Sequence, residues 1–364
     1  VLREIARMDP TEMARESAGV KNIAAFIAEG ATVLPKIVLA NVSVLLPHLN
    51  VESYVMRNGI VLALAQIIGR AFKQDPNAAG TDAEEVQASL KTRDSLINVL
   101  LERHMDTTSY VRAKVCQAWQ FLCEERAIPL AQLMNVCDVA LARLHDKSAI
   151  ARKAAIQLMT ALLSYNPFAA NLRRAHFCKQ LDECRAEMQS VIEAGGVPED
   201  ADAPEAVEAL AKMKKTSALV TFLESAIAFI DVVHSSFPII SRLLDSKNIA
   251  DVTESIGFLV AANEFEIELA PASLRDMLKL VWSREPAVKT AVIEAYQQLY
   301  LVHDSPSSGT RKAAANDARQ RAAVASAAVA APAPPTAAAK NRQMSNSQNL
   351  HSDVPKNTNC CTSP

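Results

Sequence analysis

Glycine and aromatic side chains are scarce in this 364-residue chain: 9 Gly, and 5% Phe, Trp and Tyr, although half of the residues are hydrophobic. Sandwiches and barrels depend on aromatic strands and glycine turns, so this shortage, beside abundant Ala and Leu, favours helices. The glycines stand singly apart from Gly195-Gly196, and neither GxxxxGK[ST] nor GxGxxG occurs, so the sequence offers no phosphate-cradling loop. HExxH and GxSxG are absent, no two His are spaced for one helical face of a metal site, and Cys116 has no His partner within a motif. Catalysis, a cofactor, a metal and a small-molecule substrate are therefore not expected. His104 and His145 read as solvated or capping residues.

The seven cysteines contain no CxxC pair. Cys116 and Cys123 lie about 10 Å apart along one helix, too far to bridge, so Cys116 is expected to be a buried, unreactive thiol of a reducing compartment. No signal peptide is visible, and the longest apolar runs, around 37–46 and 60–68, are broken by polar residues, so no membrane partner is expected. The opening "VLREIARMD" lacks an initiator Met and reads as part of something longer. The formal charge of −2 hides an asymmetry: residues 305–364 hold seven Lys/Arg and two Asp/Glu, which leaves −7 for residues 1–304. Contact between that acidic body and nucleic acid needs locally clustered cations.

What is present is a repeat. "RHMDTTSYVRAKVCQAWQFL" from Arg103 and "RLHDKSAIARKAAIQLMTAL" from Arg143 align at an offset of 40, placing Asp106, Arg112 and Gln117 on Asp146, Arg152 and Gln157. Upstream, "NVESYVMRNGIVLALAQ" aligns at an offset of 56 through Ser53-Tyr54-Val55 and Ser109-Tyr110-Val111, and a weaker copy starts at Ser283. Val111, Val115, Ala118, Trp119 and Leu122 form one apolar helical face, as do Leu96, Val99 and Leu100 on the helix before. One such hairpin cannot bury its own face, so neighbours must stack. The expectation is an all-α chain, a HEAT-repeat α-solenoid over 1–303 with flexible loops near 73–88 and 193–207. The Ala/Pro/Ser-rich 304–364 lacks apolar periodicity and is expected to be a disordered, low-complexity tail.

Asp106 and Asp146 fall at turns, near the positive N-terminal end of a helix. With Arg112 and Arg152 they form a candidate structural ladder, each Arg pairing with a turn aspartate along the stack. Arg57, Lys114, Lys153 and Lys289 recur at similar places and are the candidate DNA contacts, weak, backbone-directed and without sequence preference. The Lys212–Lys215 cluster reads as a solvated helix start.

The stretch "LLERHMDTTSYVRAKVCQAWQFLCEERAIPL", then "LARLHDKSAIARKAAIQLMTALLSYNPF", resembles the condensin complex subunit 1 family, the D2-type HEAT-repeat regulatory subunits of condensin I. A family run of the form VRKxAIQLL…NPF stands here as Ala151–Leu163 and Asn166-Pro167-Phe168, with Ala151 where Val is usual. "LLPHLNVESYVMRN" and the segment from "SALVTFLESAIAFIDVV" onward fit in the same order, so the resemblance covers roughly 20–303. It implies a non-enzymatic regulatory and scaffold subunit that binds the kleisin and the SMC ATPase heads, helps to hold DNA and supports mitotic chromosome condensation. It also implies a place in the nucleus and on mitotic chromosomes, with a cytoplasmic pool. The alternative is a transport or scaffold solenoid of importin or adaptin type, against which the chain has only Trp119 and Trp282 and no Asn ladder.

Overall fold

The computed structural model describes residues 17–72, 83–193 and 204–301, with short pieces of 1–16. Every regular element among them is helical. The chain opens with α1 (Leu2–Ile5), α2 (Ala18–Val33), α3 (Pro35–Leu39), α4 (Val42–Leu45), a 3-10 turn (Leu46–Asn50) and α5 (Tyr54–Arg70). Four hairpins follow: α6 (Ala83–Glu102) with α7 (Ser109–Glu124), α8 (Leu130–Leu144) with α9 (Ala149–Ser164), and then α11 (Pro204–Leu243) with α12 (Ile249–Glu264). The last joins α13 (Ala270–Met277) to α14 (Pro286–Tyr300) through a 3-10 turn, Leu278–Trp282. An extra helix, α10 (Arg174–Glu193), precedes α11 and packs along it. The second helices stack in one row, α2, α5, α7, α9, α12 and α14, each against the next. This is an α-solenoid of stacked two-helix units.

The tail expected from 304 lies outside the described residues, as do 73–82 and 194–203 of the two expected loops. The loop reading overran at its edges, because 83–88 and 204–207 are helical. Glu84 and Glu85 place negative charge in the first turn of α6, and Pro204 sits at the first position of α11, where its missing N–H costs nothing.

From α5 onward the N-caps of the second helices, Ser53, Thr108, Ser148, Asn248 and Glu285, set a common origin for the units. From that origin the α5-to-α7 offset is 55, not the 56 that the shared Ser-Tyr-Val suggests. A slip of one residue turns a helical position by about 100°, so the caps, and not the identical triplet, give the structural register. Eleven residues after the first four of these caps stand Leu64, Trp119, Met159 and Leu259, none more than 1% exposed. Burying side chains of this size stabilises by about 1.5–3 kcal/mol each.

Local capping accounts for the NPF stretch. The Asn166 carboxamide accepts from the amides of Phe168 and Ala169 and donates to the Leu163 carbonyl, closing the turn after α9. Phe168 is thereby aimed at Phe222 and Phe229 of α11. Contrary to the expectation that no run approaches a membrane span, Met213–Leu243 is long and apolar enough by length and composition, with a mean hydropathy of 1.7. Its Leu223, Ala226, Phe229, Ile230, Val233 and Phe237 are buried in the solenoid core, while Glu224 and Asp231 pair with Arg185 and Arg174 of α10. A third of that apolar window is buried, and α10 packs along the same helix.

Candidate functional site: an arginine–aspartate ladder and the cations beside it

Three arginines run along one edge of the array, each four residues after a second-helix cap. Arg57 donates from Nε and Nη2 to Asp106, both at 3.0 Å, and from Nη1 to the Val51 and Glu52 carbonyls. Arg112 repeats this on Asp146, at 2.7 and 2.9 Å, with Nη1 on the Asp106 and Thr107 carbonyls. Arg152 donates to Asp251 at 3.2 and 2.6 Å, with Nη1 on the Asp146 and Lys147 carbonyls. Each guanidinium thus ties its own turn to the acid of the next unit, a use of its planar fork that a lysine could not reproduce.

The aspartates also brace their own turns. Asp106 accepts from the Thr108 amide and Asp146 from the Ser148 amide, so the carboxylate is fixed before the neighbouring Arg reaches it. Asp146 also takes Nη1 of Arg143 at 3.1 Å. Burial works to raise the Asp146 pKa, but hydrogen bonds from Arg112 and Ser148 and the charges of Arg112 and Arg143 outweigh it and hold the carboxyl below its ordinary value. Arg112 in turn is held more firmly protonated, chiefly by its hydrogen bond to Asp146.

The third rung was not visible in the sequence. Ser246 occupies the place of Asp106 and Asp146, and Val252 the place of the arginines, so no repeat signal marks this unit. The acid is Asp251, in the first turn of α12 and 0% exposed. Ser246 donates to the same Oδ2 that receives Arg152. The rung spans the α10–α11 insertion, so partners 99 residues apart in sequence meet at 2.6 Å, as closely as the 2.7 Å of those 34 apart. A second row of polar contacts runs beside it, with Gln120 on the Ala154 carbonyl and Gln157 on Glu254.

The four candidate DNA contacts do not form one stripe. Arg57 is 7% exposed, with its donors directed to Asp106, Thr108 and two carbonyls, so the expectation of a DNA contact there is replaced by a place in the ladder. Lys289 shares that register, four after its cap, whereas Lys153 is five and Lys114 six residues after theirs. Lys114 is half-buried, its ammonium donates to Gln117, and burial lowers its pKa. Lys153 faces Glu254 at 3.5 Å. Lys289 is exposed. Three other cations share a register of their own, Lys147, Lys247 and Arg284, each one residue before a cap. All three are exposed and have no ion-pair partner among the described residues. Aligning by caps instead of by identities would have found them.

Cys116, Cys123 and Cys137 are buried, and burial pushes the Cys116 and Cys137 thiols up to about 12 and Cys123 higher still. Among the described residues no three His, Cys, Asp or Glu side chains stand close enough to hold a metal.

Comparison with known proteins gives the array a context. The Condensin-1 complex subunit CAP-D2 of Arabidopsis thaliana is 30% identical, covering 83% of this chain and 24% of that protein. Condensin complex subunit 1 of Mus musculus is 25% identical over 86% of this chain, and that of Saccharomyces cerevisiae 26% over 83%. The chain is similar to condensin complex subunit 1 along most of its length. It spans 24%, 31% and 29% of these three condensin relatives. No protein-family model matches the chain. Among solved structures, an archaeal HEAT-like repeats protein from Thermococcus onnurineus NA1 overlays with a TM-score of 0.34 at 14% identity, covering 81% of this chain and 98% of that one.

Proposed function

We propose that this chain is a regulatory and scaffold segment of a condensin-type complex, acting by binding and without catalysis. The observation that carries the reading is the condensin-subunit likeness in species from plant to yeast, each over more than four-fifths of the chain. In this reading its partners are the kleisin and SMC subunits, and its place is the nucleus and the mitotic chromosome, with a cytoplasmic pool. The ladder stiffens the array so that surfaces far apart in sequence keep a fixed spacing for those partners.

DNA is the third partner in this reading, held by its backbone and not by its bases. Lys147, Lys247 and Arg284 supply one free cation per unit beside successive helix N-termini, where an anion is favoured. Asp245 and Glu285 lie next to them, and the folded part is net acidic, so the contact is weak. Three phosphate contacts give a logarithmic salt slope near −3, a loss of roughly 40-fold in affinity between 50 and 200 mM salt. Salt-insensitive or sequence-selective binding would overturn the backbone contact.

Affinity purification of the chain from mitotic cells tests the whole reading. SMC and kleisin subunits are expected to co-purify. Recovery of transport cargo without them would favour the importin or adaptin type instead.

A further inference from the structure

Asp251 and Ser255 stand three and seven residues after the α12 cap, about one helical turn apart, and both are 0% exposed. In the other capped second helices the same two places belong to the apolar core. Met56, Val111, Ala151 and Val288 fill the first and Ile60, Val115, Ala155 and Val292 the second, none more than 4% exposed. Among these helices α12 alone sets two polar groups there. Asp251 Oδ1 and Ser255 Oγ have no hydrogen-bond partner among the described residues. Buried polar groups are rarely left in that state.

The geometry of the rung explains why Oδ1 is left over. In the first two rungs the guanidinium fork spans both carboxylate oxygens. Oδ1 there also takes a turn amide, that of Thr108 on Asp106 and that of Ser148 on Asp146. In the third rung Nε and Nη2 of Arg152 both fall on Oδ2, which Ser246 shares. The turn amides are engaged elsewhere: Asn248 donates to the Ser246 hydroxyl, and Ala250 and Asp251 donate to the Asn248 side chain. Ser255 is unusual too. Thr160, Thr221, Ser225 and Ser235 each donate to the carbonyl four residues back, and Ser255 does not. Its hydroxyl and Oδ1 therefore share one buried helix face with nothing to bond.

We propose that one internal water bridges Asp251 Oδ1 and Ser255 Oγ and completes the third rung, in the role that a turn amide has in the other two. The water donates to the carboxylate oxygen and accepts from the serine hydroxyl, two of the roughly three bonds that a buried water makes. The chemistry of the site selects this ligand. Side chains four apart on a helix stand about 5–6 Å apart at Cβ, a gap that a single oxygen atom spans. Both groups are shut off from solvent, so the occupant is enclosed. A cation is disfavoured because the Arg152 guanidinium already offsets the carboxylate charge, and an anion is repelled by Asp251. The assignment is independent of the condensin reading.

The test compares Ser255→Thr with Ser255→Val in the full chain. Ile60, Val115 and Val292 show that this place accepts a branched side chain, and Val matches Thr in shape but lacks the hydroxyl. Oxygen-17 magnetic relaxation dispersion should count one long-lived water fewer in Ser255→Val than in the parent or Ser255→Thr. Urea denaturation should rank the pair in the order opposite to an ordinary apolar core site. Ser255→Thr should exceed Ser255→Val by roughly tenfold in folding equilibrium constant, because Val strands the carboxylate oxygen. A crystal structure of the parent that orders internal waters should show one within hydrogen-bond distance of both oxygens. Equal water counts in the two variants, a more stable Ser255→Val, a metal ion between the oxygens, or a Ser255 hydroxyl bonded directly to Oδ1 or to the Asp251 carbonyl would overturn the proposal.

Discussion

The turns ahead of α9 and α12 occupy the same place in successive hairpins, yet they solve one electrostatic problem differently. Ahead of α9 the acid is Asp146, two residues before the cap, and both of its oxygens are taken: Oδ1 by Arg112 and the Ser148 amide, Oδ2 by Arg112 and Arg143. Ahead of α12 the turn holds Ser246, and the acid is Asp251, three residues after the cap. Its Oδ2 takes Arg152 and Ser246, while Oδ1 and the Ser255 hydroxyl have no hydrogen-bond partner among the described residues. The ladder therefore requires a carboxylate within reach of the preceding guanidinium, not an acid at a fixed motif position. The two solutions are not equally well satisfied.

Removing each acid sharpens that contrast most. Asp146→Ala strands two guanidinium groups and one capped amide, and should cost about 3–5 kcal/mol, the range for breaking a shielded pair from one side. Asp251→Ala strands one guanidinium that keeps its two carbonyl acceptors, and should fall at or below about 3 kcal/mol. Urea denaturation midpoints decide between them. A larger loss at Asp251 would mean that the in-helix acid is the stronger rung.

Acid titration probes the same difference. The folded-state pKa of Asp146 is depressed below its ordinary 3.8, so the stability it contributes is fully present above that value and is lost as pH falls through the folded pKa. The loss should begin below about pH 4. Arg112→Ala removes the main hydrogen bond to the carboxylate and should make this acid limb shallower. An unchanged pH dependence in Arg112→Ala would show that Asp146 is stabilised by its own turn alone.

Two glycines should move stability in opposite directions. A Cβ on Gly257, exposed in the middle of α12, would meet nothing within 4 Å, so Gly257→Ala should raise stability by about 0.5–1 kcal/mol through helix propensity. A Cβ on Gly59 would lie 2.7 Å from the Ala24 carbonyl oxygen, so Gly59→Ala should lower stability by about 1–3 kcal/mol by forcing α2 and α5 apart. Melting temperatures moving the same way in both would contradict the packing described for the α2–α5 crossing.

Periodicity exposed the hairpins around Asp106 and Asp146 because two intact copies of one pattern lie 40 residues apart. It placed the α5 unit one residue out of register, since Ser53 is a cap and Ser109 the first residue inside a helix. It was silent on Asp251, because Ser246 and Val252 erase the pattern while tertiary packing keeps the contact. It also grouped Arg57 with Lys114 and Lys153 as surface cations. Exposure depends on the residue's angle around the helix, and a count of basic residues per unit does not carry that angle. The α10 insertion was legible only as a loop after it, because an amphipathic helix packed on one side looks like any other in the sequence.

The claim at the centre is that Arg112 and Asp146 form a structural rung, and a double-mutant cycle measures it directly. Stabilities of the parent, Arg112→Ala, Asp146→Ala and the double variant should give a coupling of about 1.5–3 kcal/mol, as for a charge-assisted pair shielded from water. Salt-sensitive DNA binding should be unchanged in Arg112→Ala. Additive losses, together with abolished DNA binding in Arg112→Ala, would contradict the account and make the arginine row itself the contact surface.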